Sequence, residues 1–124
     1  MTSRREARRT AVVLLYQWDV SGQPLGALFE GDVDPYARQL AEEAAAGAAA
    51  LDRRITGASL AWPADRLGAL ERNVLRVALV ELDRGDGPIE VVLDEAVRLA
   101  KRYASEDAGR LVNGILARIV REAA

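Results

Sequence analysis

The chain has no cysteine and no histidine. Disulfides and thiolate metal sites are therefore excluded, zinc would have only carboxylates to bind, and the usual general base near neutral pH is missing. Most hydrolase and metalloenzyme designs fall with those two residues. Aromatics make up only 5% of the 124 residues, and no apolar run reaches the roughly 18 residues that would span a bilayer. The charged start of the chain carries no apolar segment with a cleavage site after it, so a cytoplasmic protein away from membranes is expected.

What is present favours helices. Half the residues are hydrophobic, dominated by alanine and leucine, which lose little rotamer freedom in a helix. The size suits one domain. The formal charge is −2, but it is unevenly spread. Residues 1–10 hold Arg4, Arg5, Arg8 and Arg9 against Glu6, a local +3, which leaves −5 for the remainder. A nucleic-acid surface, if present, is local and begins at the first helix.

Periodicity predicts a first helix over 3–19, with Ala7, Ala11, Leu14 and Trp18 as its buried stripe. Asp34-Pro35 opens a second helix that runs to about Gly57. A third, over 64–84, has apolar residues around so much of its circumference that it is expected to be central, with Gly68 a candidate break. Further helices are predicted from Ile89 to Tyr103 and from Ser105 onward. No strand signal and no repeat is visible.

Two clusters could carry chemistry. At about 100° per residue, Arg4, Arg8, Arg5 and Arg9 sweep an arc of roughly 140°, and Tyr16 falls within it. Guanidinium groups neutralise phosphates and an exposed ring stacks on an unpaired base. Lys101, Arg102 and Tyr103 end one helix beside the start of the next, where Asp107 could accept hydrogen bonds from base edges. Asp94 and Glu95 diverge on their helix and do not make an acid–base pair. Asn113-Gly114 in mid-helix is expected to mark close helix contact and a buried side-chain hydrogen bond.

The order of these motifs resembles the NusB family of bacterial transcription antitermination factors. The resemblance runs through Arg4-Arg5-Glu6-Ala7-Arg8 to Tyr16-Gln17-Trp18, through Glu71-Arg72-Asn73-Val74-Leu75-Arg76, and through Asp94-Glu95-Ala96 to Ser105-Glu106-Asp107 and Val112-Asn113-Gly114. It implies an all-α fold of two packed three-helix bundles, about 1–58 and 62–124, with no catalytic activity and no cofactor. It also implies binding of a single-stranded boxA-like RNA element of nascent ribosomal transcripts, together with the ribosomal protein that doubles as NusE, within the RNA polymerase antitermination complex. Carried onto this chain, the RNA surface would be Arg4, Arg5, Arg8, Tyr16, Tyr103 and Asp107, with Lys101 as a neighbour and Arg9 completing the arc. Leu111 stands where the family pattern has phenylalanine, which removes one ring.

The second bundle is where the family docks its partner, so acidic Glu71 and Glu81 become candidate partner contacts; a homodimer is the alternative when that partner is absent. A related module serves as the RNA-recognition domain of ribosomal-RNA cytosine methyltransferases. Up to Ala124 this chain shows no glycine-rich cofactor loop and no nucleophilic cysteine, so a complete enzyme of that kind is not expected, and a stand-alone RNA-recognition domain related to that module is the alternative reading. A helix-turn-helix DNA binder needs a basic recognition helix, whereas the last helix is acidic at its start.

Overall fold

A computed structural model describes residues 2–60 and 62–123. Among them there are six α-helices and no strand: α1 (Arg4–Ser21), α2 (Pro35–Ala46), α3 (Ala48–Ala58), α4 (Ala69–Arg84), α5 (Ile89–Tyr103) and α6 (Glu106–Ala123). Short 3-10 turns at Leu25–Leu28 and Ala64–Arg66 lie in the connections.

The helix ends follow local chemistry. The Ser3 hydroxyl accepts from the Glu6 amide at 3.1 Å, and α1 stops at Gly22, whose φ of 72° is left-handed. The Asp34 carboxylate accepts from the Tyr36 and Ala37 amides, and Pro35 takes the first helical position. The Ser105 hydroxyl accepts from the Ala108 amide to start α6.

The single long helix expected from Asp34 to Gly57 is two. Gly47 separates α2 from α3, yet its amide still donates to the Glu43 carbonyl and its carbonyl accepts from Leu51. The ladder is therefore bent rather than interrupted, as befits a residue with no side chain in an alanine-rich stretch. Gly68 does mark a break: it caps α4, and the Glu71 side chain folds over it so closely that a Cβ there would lie 2.3 Å from a carboxylate oxygen.

Helix α4 is the axis of the molecule. Every residue from Asn73 to Glu81 is buried, and α1, α2, α3, α5 and α6 all pack against it. Leu75, Leu79, Leu15, Leu40, Ile55 and Leu116 fill the centre of one continuous core. Two polar networks are anchored on α4. In one, the Asp19 carboxylate accepts from Arg72 at 2.9 Å and Asn73 at 3.0 Å, while Arg76 bridges Asp19 and Asp52. In the other, Arg8 of α1 donates to Glu81 at 2.5 Å and the Tyr36 hydroxyl lies 3.0 Å from both Glu81 and Asp86.

The first network makes stability depend on pH. Burial works to raise the Asp19 pKa, but the hydrogen bonds from Arg72 and Asn73 and the charges of Arg72 and Arg76 outweigh it and hold the carboxyl below its usual range. A depressed folded-state pKa contributes stability above the unfolded value of about 3.9 and loses it as pH falls through the folded value. Urea denaturation should therefore find Asp19→Asn less stable than wild type at pH 7, with the gap closing as pH drops below about 4. A gap constant down to pH 2 would remove Asp19 from the acid response.

Candidate nucleic-acid interface

Helix α1 does not present its arginines as one solvent arc. Its buried residues are Ala7, Arg8, Ala11, Val12, Leu14 and Leu15, a wider face than the expected stripe. At about 100° per residue, Leu15 and Val12 point in the same directions as Arg4, Arg8 and Arg5, so the start of the helix carries its arginines over the protein body. Arg8 is buried on Glu81. Arg4 lies 4.3 Å above the Tyr36 ring and donates to the Asp86 carbonyl. Arg5 is more than half exposed but grips the Glu95 carboxylate at 2.9 Å.

The Tyr36 phenol is raised well above its ordinary pKa, first by burial and then by the Glu81 charge and its bonds to Asp86 and Glu81. It remains a neutral hydrogen-bonding post between the two carboxylates. Asp86 is held below the usual carboxylate range, chiefly by the hydrogen bond from Arg84.

Arg9 is the exception among the four. It is exposed, forms no ion pair among the described residues, and edges a cleft of about 290 Å³ between α1 and the end of α5. Tyr16 and Tyr103, each a little under half exposed, share that cleft over an apolar floor that includes Val12, Leu70 and Leu99. Helices α1 and α5 both pack on α4 and are tied by the Arg5–Glu95 ion pair, which brings rings 87 positions apart in the sequence to one cleft. Two half-buried rings and one free guanidinium can hold a flat π-system and an adjoining phosphate.

The remaining candidates lie outside this cleft. Lys101 lies on the far side of α5, 3.8 Å from Glu106, with its alkyl chain against Gly109; a Cβ on that glycine would come within 2.5 Å of the chain. Asp107 is fully in solvent on the first turn of α6 and pairs with Arg110, outside the tyrosine cleft. Asn113 and Gly114 are exposed, so the expected buried hydrogen bond is not made, and the close helix approach belongs to Gly109 instead.

The acidic candidates divide as well. Glu71 is half-buried at the start of α4. Glu81 is 2% exposed and committed to Arg8 and Tyr36, so it offers nothing to a partner's surface. It lies seven residues after Val74 and three after Ala78, on the same buried face.

Sequence reasoning singled out Arg102 on the outer face of α5 but missed Arg98 beside it. Arg98 and Arg102 are exposed, four residues apart, and form no ion pair among the described residues. Their i, i+4 spacing was a legible signal.

With helices alone among the described residues, and with two rings from different helices and one unpaired arginine on a shared cleft, the fold and site define a helical binding domain. The chain belongs to the NusB family: the family model matches residues 5–121. It is 41% identical over 130 residues to the transcription antitermination protein NusB of Anaeromyxobacter dehalogenans, covering 96% of this chain and 92% of that one. Its fold is similar to that of T. maritima NusB, with a TM-score of 0.85 at 34% identity over 98% of this chain and 92% of that one. A crystal structure of the antitermination factors NusB and NusE in complex with dsRNA contains a chain equally similar, with a TM-score of 0.85 at 34% identity and 96% of each chain covered.

Proposed function

We propose that this chain is an RNA-binding transcription antitermination factor. It holds a boxA-type element of a nascent ribosomal transcript and acts with a NusE-type ribosomal protein in the RNA polymerase antitermination complex. The observation that carries this reading is the convergence of Tyr16, Tyr103 and unpaired Arg9 on one cleft. The family membership and the likeness to a chain crystallised with NusE and RNA support it. The chain acts by binding, without catalysis or cofactor, in the bacterial cytoplasm.

Half-buried rings favour an unpaired base, because a base inside a duplex is already stacked on both faces. The partner is expected to be basic, and the −5 carried outside the first ten residues supplies complementary charge, with Glu71 as the candidate contact on α4. The reading is tested by titrating single-stranded boxA-type RNA into the chain alone and into its mixture with the NusE-type protein, with mass measured by light scattering. A 1:1 heterodimer that binds RNA more tightly than the chain alone is expected. In the same assay Arg9→Gln should lower the log–log slope of affinity against salt by about 0.7. A homodimer that ignores both partner and RNA at micromolar concentration would refute the reading.

A further inference from the structure

A second groove, of about 600 Å³, lies on the other side of α5 from the tyrosine cleft. It is lined by Asp94, Val97, Arg98, Lys101, Arg102 and Asn113, and so joins the outer face of α5 to α6. Three of its six side chains are cations. Lys101 faces Glu106 only at 3.8 Å, and Arg98 and Arg102 have no carboxylate partner among the described residues. Asp94 is the one acidic group in the wall. The Asn113 amide finds no hydrogen-bond partner among the described residues and is free to donate.

The arginines of α1 show why these cations matter. Arg5 and Arg8 are paired with the Glu95 and Glu81 carboxylates, and Arg4 is held by the Tyr36 ring and the Asp86 backbone carbonyl, so three of the four arginines expected to meet RNA are engaged within the fold. Arg9 at the tyrosine cleft and Arg98 and Arg102 on α5 form no ion pair among the described residues, and Lys101 lies 3.8 Å from its one carboxylate partner, Glu106. Arg102 immediately precedes Tyr103, which belongs to the cleft, and its guanidinium lies 5.5 Å from that ring. Arg98 and Arg102 stand about 6 Å apart along the helix and about 40° apart around it. They form a rail of two forked donors leading from the stacking rings toward Asn113.

We propose that this groove is a phosphate-binding extension of the RNA site: Arg98 and Arg102, with Lys101, carry the RNA backbone out of the Tyr16–Tyr103 cleft and across α5 to α6. The inference rests on the RNA-binding reading above. Its contacts are to phosphate, so they add affinity and salt dependence without sequence preference.

The test compares wild type, Arg98→Gln/Arg102→Gln and Tyr16→Ala on boxA-type and scrambled single-stranded RNAs of equal length, titrated over a range of salt concentrations. Circular dichroism checks that each variant is folded. Two lost phosphate contacts should lower the log–log slope by about 1.4, so that a tenfold rise in salt costs the double variant about 25-fold less affinity than it costs wild type. The loss at low salt should be equal on both RNAs. If the double variant keeps the wild-type slope while Tyr16→Ala weakens binding, the groove is not on the RNA path and the RNA reading stands without it. A loss confined to the boxA-type RNA would overturn the phosphate role. Absence of RNA binding by wild type would overturn both readings.

Discussion

Arg8→Met is expected to destabilise the fold by about 3–5 kcal/mol, the cost of removing one partner from a buried ion pair. The Glu81 carboxylate would be left with the Tyr36 hydroxyl as its remaining partner, 2% exposed and too short to reach water. Glu81→Leu should cost less, because the arginine left behind has a long stem and can move its head toward the surface. The double variant Arg8→Met/Glu81→Leu should recover most of the loss, since a well-packed apolar pair is often as stable as the ions it replaces. Urea denaturation of the four proteins gives the coupling directly. If the two single losses simply added in the double variant, Arg8 and Glu81 would be acting independently and the pair would not be the anchor of α1. The same experiment bears on function: if Arg8 is structural, the refolded double variant keeps the salt dependence of RNA binding.

The helical class, the central position of α4 and the bounds of α5 were legible because they rest on long, repeated signals. Nine successive buried residues on α4 require apolar side chains all around, and the sequence from Val74 to Val80 supplies them apart from Arg76. The Pro88 start and the Ser105 cap frame α5 and α6 through local chemistry alone. What was not legible depended on which neighbour covers a given face. Ala7, Ala11, Leu14 and Trp18 define a stripe on α1, but the helix is covered by α2 and α4 as well and buries Val12 and Leu15 besides, while Trp18 is only half-buried. Widening the stripe moves Arg8 from the solvent side to the core, where only a carboxylate from α4 can compensate it. Glu81 reads as an acidic surface residue for the same reason: a charge on a buried face is recognised once its counter-charge, 73 residues away, is known. Asn113 fails in the opposite direction, because a polar residue beside a glycine in mid-helix suggests burial, whereas the tight contact is at Gly109.

Tyr16→Ala/Tyr103→Ala is expected to have the largest effect on RNA binding of any pair of substitutions that leaves the core intact. Base–aromatic stacking is worth about 1–3 kcal/mol per base by alanine substitution, so two independent contacts correspond to at least about a 30-fold loss of affinity. Both rings are partly exposed and neither is in the core, so thermal unfolding should shift little. The two substitutions remove no charge, and the salt slope should therefore stay at its wild-type value, the reverse of the pattern expected for Arg9→Gln. Tyr16→Phe/Tyr103→Phe keeps both π-faces and should retain most of the affinity, which separates stacking from hydrogen bonding through the hydroxyls. Fluorescence anisotropy with single-stranded boxA-type RNA at several salt concentrations reads all of these quantities together. Wild-type affinity in the alanine pair would mean that the cleft is empty in the complex, and that RNA is held by charge alone. A changed slope would mean that the rings act by positioning the neighbouring arginines, with Arg102 beside Tyr103 and Arg9 beside Tyr16 as the groups displaced.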